Sequence, residues 1–258
     1  MCARVKAEFP ETPDAGWTHA PGPPLCDQGT LTPSARTDAL RRLNLYRWLC
    51  GLKPVTADVS READEQACAV LEENLQGLSH TPSSSAFCYS DAGAHAASES
   101  NLAAGVFTPA QAVTLFMIDG DAPSLGHRRW CLAPGEGGTT AFGHVGWSTC
   151  MASFSMLGKN LEPGFVAFPA PGLQPRLLMP RLWSYAPTNG TLAAEATMRV
   201  THSGAPVAQG GTVDSGNYGS GAALILNVGD VTAGDYDVTI TEPGHPDVAY
   251  RVSMIDCP

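Results

Sequence analysis

Residues 98–103 read Ser98-Glu99-Ser100-Asn101-Leu102-Ala103, a carboxylate and an amide followed by a small apolar run. A histidine-containing stretch precedes it, Leu78-Ser79-His80, and another follows it, Gly126-His127-Arg128-Arg129-Trp130. Two imidazoles and a carboxylate are the groups that a metal site or an acid/base site requires. The sequence therefore nominates His80, Glu99 and His127 as members of one site, with Trp130 expected in the core.

Three segments around these stretches have the apolar spacing of helices. They are residues 34–50, residues 60–75 and a segment that begins at Thr108-Pro109. Ser34 is the expected N-cap of the first, and threonine followed by proline is a typical helix start for the third. His80 is then expected just beyond the end of the second helix.

Strand signals dominate the remainder of the chain. Residues 139–157 predict two strands packed on the helices, and a high density of prolines in residues 161–181 predicts a connection without regular structure. Beyond it, four alternating or apolar segments predict a β-sandwich: 196–201, 222–228, 235–241 and 248–254.

The expected fold class is therefore α+β. The predicted organisation is an extended N-terminal arm over 1–30, a first domain over 31–160, the connection over 161–181 and a small all-β sandwich domain over 182–258.

Acidic residues outnumber basic residues, with 25 Asp and Glu against 15 Lys and Arg, which gives a formal net charge of −10. Such a charge repels nucleic acid and anionic lipid, so we expect neither as a partner. No apolar run approaches the roughly 18 residues that span a bilayer. The sequence thus predicts no membrane span, and its first residues lack the apolar stretch of a signal peptide.

The eight cysteines are scattered along the chain and include no Cys-x-x-Cys pair. An even, scattered set favours disulfides in an oxidising compartment, which predicts a secreted, extracellular protein in its mature form. The alternative is a cytosolic protein with buried thiols. Cys2 and Cys26 are expected to tie down the N-terminal arm, Cys257 to tie the C-terminal end to the rest, and Cys131 to pair with Cys150 across a hairpin.

Several motifs within residues 35–157 resemble the CAP superfamily of cysteine-rich secretory proteins, antigen 5 and plant pathogenesis-related proteins. Asn44-Leu45-Tyr46-Arg47 and Gly51-Leu52-Lys53-Pro54-Val55 resemble the family's opening helix and its Gly-Leu-x-Pro exit. Leu78-Ser79-His80 is similar to the end of the second helix. Glu99-Ser100-Asn101-Leu102-Ala103 is similar to a Gly-Glu-Asn-Leu-Ala motif, and Gly126-His127-Arg128 to a Gly-His motif. The chain resembles a bacterial-type member with an added C-terminal β domain.

The resemblance implies an α-β-α sandwich with a central cleft, where two histidines and two acids form a tetrad that can hold a divalent cation. His80, Glu99 and His127 correspond to three of its members. Asp119 is the candidate for the fourth, with Asp121 behind it. Because aspartate is one methylene shorter than the family's glutamate, Asp119 would reach a metal only through water.

The chain departs from the family motif on both sides of Glu99. Ser98 stands where the family has glycine, and Ser100 separates the glutamate from Asn101 as an insertion or a shift would. If a metal binds, neutral His80 and His127 are the expected direct ligands, with water completing the coordination and Zn²⁺ the first candidate.

Three functions remain open at this point. The first, favoured by the resemblance, is a secreted binding protein without enzymatic activity, whose cleft holds a divalent cation and a small or extracellular ligand. The second is a metal-assisted hydrolase acting on peptide or cell-wall material, with Glu99 as base and the metal or His127 as electrophile. The third is a non-enzymatic surface adhesion protein that works through its C-terminal β domain.

Overall fold

The computed structural model describes residues 1–9, 16–22, 25–75, 77–120, 123–188 and 190–257. The α-helices of these residues are α1 (Cys2–Glu8), α2 (Pro33–Leu49), α3 (Glu62–Glu73), α4 (Asp91–Glu99), α5 (Pro109–Ile118) and α6 (Gly126–Cys131). The strands are β1 (Trp17–His19), β2 (Thr30–Leu31), β3 (Thr56–Ala57), β4 (Ser100–Ala104), β5 (Thr139–Thr140), β6 (Phe142–Val145), β7 (Ser148–Ala152), β8 (Phe165–Phe168), β9 (Gly172–Pro175), β10 (Leu182–Pro187), β11 (Thr197–His202), β12 (Ala205–Gly210), β13 (Thr212–Asp214), β14 (Ala223–Asn227), β15 (Gly234–Thr241) and β16 (Val248–Ile255). The expected mixed α+β class is confirmed.

A three-stranded antiparallel sheet, ordered β4-β7-β6, lies among the helices of residues 1–157. Successive residues of a strand face opposite sides of a sheet. Leu102 accordingly packs with α3 and α4 in one apolar cluster, while Ala103 packs with α2 and α5 in another. Helices therefore cover both faces of this sheet.

Side-chain caps explain where two of these helices begin. The hydroxyl of Thr108 accepts a hydrogen bond from the Gln111 N–H at 3.0 Å, as expected for the start of α5. At α2 the cap is Thr32, which accepts from the Ala35 N–H at 3.3 Å, rather than the predicted Ser34. Within the part of the chain that the structure describes, no helix combines the length and apolar character needed to cross a membrane.

The prediction that residues 1–30 form an extended arm is wrong for two parts of that segment. Cys2–Glu8 is helical because Val5 and the neighbouring Phe9 find apolar partners on α2: Val5 is buried, and the Phe9 ring meets Tyr46 edge-on with centroids 6.5 Å apart. Trp17–His19 then pairs antiparallel with β2. Tertiary contacts thus order a segment that has no apolar period of its own.

Two sheets form the second half of the chain, one ordered β13-β14-β10-β8 and the other β12-β11-β15-β16-β9. Their inner faces share one apolar core, which includes Trp183 and Leu224 from the first sheet and Val238 and Val252 from the second. The four strands predicted from sequence alternation are confirmed as β11, β14, β15 and β16.

The prediction of a connection without regular structure over 161–181 is wrong, because β8 and β9 lie within it. Proline is tolerated at strand ends and on edge strands, where no ladder hydrogen bond is lost. Pro169 directly follows β8, and Pro175 is the last residue of β9. Each of these strands is the edge strand of its sheet, so both fit this rule.

Three disulfides link the chain: Cys2–Cys257, Cys26–Cys88 and Cys68–Cys150. The first two tie down the N-terminal segment, and Cys257 holds the C-terminal end, as expected. The predicted Cys131–Cys150 pair is wrong, since Cys150 on β7 bonds to Cys68 on α3 across the sheet face. Cys131 and Cys50 are buried free thiols.

Candidate functional site

A cavity of about 370 Å³ lies beside the α4–β4 junction and the start of α6. Both sequence-nominated histidines, His80 and His127, line it. Trp130, which was expected in the core, packs partly against the core and also lines this cavity. The other walls include serine hydroxyls and aromatic rings, contributed by Ser98, Ser100, Ser124, Ser153, Phe154 and Tyr218.

His80 is positioned by two hydrogen bonds of its loop. The Ser79 N–H donates to Oε2 of Glu72 at 2.9 Å, and burial raises the pKa of Glu72 to about 7. Nδ1 of His80 lies 2.8 Å from the carbonyl oxygen of Ala97. Because a carbonyl oxygen can only accept, Nδ1 carries the hydrogen, and in the neutral ring Nε2 keeps the lone pair.

His127 is positioned by the carboxylate of Asp119. Nδ1 of His127 donates to Oδ1 of Asp119 at 2.8 Å, and the Arg128 N–H donates to Oδ2 at 3.2 Å. Asp119 ends α5 in the left-handed conformation (φ +47°), which aspartate adopts more readily than most residues. Only 3% of its side chain is exposed. Both carboxylate oxygens are therefore used within the protein, and the tautomer leaves the lone pair on Nε2 of His127, as in His80.

Glu99 is not among the described residues that line the cavity. It is the last residue of α4, and its carboxylate accepts a hydrogen bond from Nη2 of Arg61 at 3.0 Å. Nε2 of His95 lies 3.8 Å from the other oxygen of this carboxylate. The structure thus brings His80, His127 and Asp119 to the cavity region and leaves Glu99 in an ion pair beside it. Asp121 lies outside the described residues.

Ser100 takes the place at the cavity that the sequence assigned to Glu99. Ser100 lines the cavity, and its hydroxyl donates to Oε2 of the buried Glu65 at 2.7 Å. Burial raises the pKa of Glu65 to about 8, against the lowering effect of that hydrogen bond and of Arg61. Nη2 of Arg61 lies 3.5 Å from Glu65 and so joins the two carboxylates.

Asn101 fixes the element that carries His127. Its Nδ2 donates to the carbonyl oxygen of His127 at 2.9 Å and contacts the sulfur of Cys131 at 3.7 Å. The amide that follows Ser100 in the sequence therefore holds α6 against β4.

A divalent cation at this cavity would need several protein donors close together. Among the residues that the structure describes, no three His, Cys, Asp or Glu side chains lie together as a metal-binding group. Two imidazole nitrogens remain as donors at the cavity, since Asp119 bonds within the protein. Two donors are one fewer than the three protein ligands of an open zinc site and two fewer than the four of a closed one.

Sequence reasoning missed the contribution of the second half of the chain. Asn217 and Tyr218, between β13 and β14, line the same cavity as the histidines. Their stretch is glycine-rich and indicates only a loop, so no local signal identifies them as site residues.

No protein-family model matches this chain, and no curated protein matches it. Among solved structures, it is similar over 36% of its length to 91% of CopC from Methylosinus trichosporium OB3b, with 17% identity and a TM-score of 0.27. A structure described as a protease matches 28% of the chain (20% identity, TM-score 0.21), and the Arg-specific cysteine proteinase gingipain R matches 59% (13% identity, TM-score 0.24). The chain spans only 14% and 29% of these two proteins.

Proposed function

We propose that this chain is a secreted, CAP-like binding protein whose cavity holds a divalent cation through His80 and His127, together with a small extracellular ligand. One observation carries the proposal: both imidazoles line one cavity, and the Nδ1 of each is occupied by a protein acceptor. Metal-binding histidines typically donate their second ring N–H to a carboxylate or a backbone carbonyl in this way.

Two further features support the proposal. Helices on both faces of the β4-β7-β6 sheet are compatible with the α-β-α layering of the CAP superfamily. Three disulfides favour an oxidising compartment, where such bonds persist.

Calorimetric titration with Zn²⁺ tests the proposal. The unchanged protein is expected to bind one ion weakly, and binding is expected to weaken in acid, because protonated imidazole cannot coordinate. The double variant His80→Ala plus His127→Ala is expected to lose this binding. His245→Ala, at an exposed histidine of the second half of the chain, is the matched control. Equal Zn²⁺ binding by the double variant and the control would reject the site.

A second candidate function is hydrolysis, favoured by the hydrogen bond between Asp119 and His127. A carboxylate on Nδ1 holds the ring in the tautomer whose Nε2 can take a proton from water or a hydroxyl. The base would then be His127 rather than Glu99, which is paired with Arg61. Turnover of peptide, ester or glycan substrates that His127→Ala abolishes and Glu99→Gln preserves would establish this function over binding alone.

A further inference from the structure

Residues 215–222 join β13 to β14 and reach the cavity that His80 and His127 line. We propose that this segment, the β13–β14 loop, is part of the binding site. Its Tyr218 is the residue that selects a ligand with a flat, aromatic body. The inference rests on the proposed function, because it concerns the ligand of the same cavity.

One buried guanidinium holds the β13–β14 loop in place. The side chain of Arg129 is 3% exposed and lies two residues after His127. Its Nη1 donates to Oδ1 of Asp214 at 2.6 Å, where the loop begins. Its Nη2 donates to the carbonyl oxygens of Gly216 and Gly221. Because both ends of the loop bond to one side chain of α6, the loop is positioned by the helix that carries His127.

The ring of Tyr218 packs closely against α6. Its centroid lies 4.8 Å from Cζ of Arg129. A Cβ atom on Gly126 would lie 3.0 Å from Cδ1 of Tyr218, so the ring uses the space that this glycine leaves. Gly219 has φ +63°, and a Cβ there would lie 2.9 Å from the Arg129 carbonyl oxygen. The close approach of loop and helix therefore requires glycine at position 219, and at position 126 an added Cβ would press against the ring of Tyr218, which indicates that the loop is fitted to the helix.

The chemistry of the walls indicates the class of ligand. Trp130 and Phe154 stack with centroids 4.6 Å apart, and both line the cavity, as does Tyr218. Aromatic walls with a few convergent polar groups are typical of small-molecule sites. The polar groups here include the imidazoles of His80 and His127. A ligand with a planar ring and one metal-binding or hydrogen-bonding head group matches both the aromatic walls and the two imidazoles of this cavity.

Two probes that share a head group separate the contribution of the ring. Benzohydroxamate and acetohydroxamate share a hydroxamate group that binds metal ions and hydrogen-bond donors. Only benzohydroxamate has an aromatic ring. Affinities for the full-length protein are measured by calorimetry or ligand-observed NMR, with Zn²⁺ and without it. The unchanged protein is expected to prefer benzohydroxamate, and Tyr218→Ala is expected to reduce that preference about 2- to 10-fold, the range of one aromatic pair contact.

Two further variants guard against a folding effect. Tyr218→Leu keeps an apolar side chain and is expected to reduce the preference by a similar factor while its thermal transition stays near that of the unchanged protein. Phe87→Ala removes an exposed ring outside the cavity and is expected to leave the preference intact.

The outcomes distinguish this inference from the proposed function. Normal Zn²⁺ binding together with an unaltered ring preference in both Tyr218 variants would overturn the inference and leave the cation site standing. A Tyr218-dependent preference that persists without Zn²⁺, in a protein that does not bind Zn²⁺, would support the inference and reject the cation site. Absence of any benzohydroxamate binding, with or without the metal, would overturn the assignment of an aromatic ligand.

Discussion

The carboxylate of Asp119 accepts a hydrogen bond from Nδ1 of His127 at 2.8 Å and, through its other oxygen, one from the Arg128 N–H. An aspartate that uses both oxygens in this way holds a ring in a single orientation. It acts on the cavity through the histidine rather than as a donor to a ligand. This relationship gives the first prediction.

Asp119→Asn is expected to weaken Zn²⁺ binding about 10- to 100-fold, the usual cost of losing a residue that orients a metal-binding histidine. The two N–H groups bond to different oxygens of Asp119, and in the amide one of these oxygens becomes an NH₂ group, which cannot accept a hydrogen bond. Calorimetry at a fixed pH measures the loss, with Asp247→Asn at an exposed position as control. Affinities of the two variants within a factor of two would contradict the positioning role.

The buried Glu65 predicts a specific pH dependence of stability. Its pKa is raised from an ordinary 4.5 to about 8, chiefly by burial. Between pH 4.5 and 8 the folded state holds a proton that the unfolded state has released, so the free energy of unfolding falls as the pH rises. The contribution of Glu65 to stability is complete below pH 4.5 and is lost as the pH rises through 8. Glu65→Gln removes the loss, and we expect the variant to gain more than about 1 kcal/mol relative to the unchanged protein between pH 5 and 8.

Urea unfolding at several pH values measures this difference directly. Glu72, whose pKa is raised by burial to about 7, contributes in the same direction in both proteins and cancels in the comparison. His144, whose pKa burial lowers to about 4, contributes in the opposite direction and cancels as well. A constant difference across the range would show that Glu65 does not titrate in this way.

The ion pair between Arg129 and Asp214 is expected to matter for stability. Asp214→Ala leaves a buried guanidinium without its charged partner, at an expected cost of roughly 1.5 to 3 kcal/mol in the free energy of unfolding. Asp230→Ala is the matched control, because its pair with Arg181 is exposed on both sides and contributes about 0 to 1 kcal/mol. Denaturant unfolding that gives equal values for the two variants would contradict the anchoring role of Arg129.

Thiol labelling tests the disulfide pattern. Burial raises the pKa of Cys50 to about 12 and raises that of Cys131 as well, so neither forms the reactive thiolate in the folded protein. Iodoacetamide is therefore expected to label neither in native buffer, and to label only these two in denaturant without reductant. Peptide mass spectrometry that instead finds Cys131 joined to Cys150 would restore the pairing expected from sequence.

Local sequence signals located several elements of the fold, but not α4, β4 and α6, which carry many of the cavity residues. The start of α5 at Thr108-Pro109 and the strands β11, β14, β15 and β16 follow from caps and alternation, which act over a few residues. The strands β8 and β9 were not predicted, because proline opposes strands in general. It is tolerated at a strand end or a sheet edge, where the prolines of these two strands lie.

The sequence by itself determined the mixed α+β class, the chain ends tied by cysteines and the two histidines of the cavity. Only the tertiary structure decided that Ser100 rather than Glu99 faces the cavity, that Cys68 bonds to Cys150, and that Tyr218 closes one wall. The physical reason is the distance along the chain over which each interaction acts. Caps and periodicity are interactions between near neighbours, whereas the partner of a carboxylate, a thiol or a loop depends on which distant surfaces pack together.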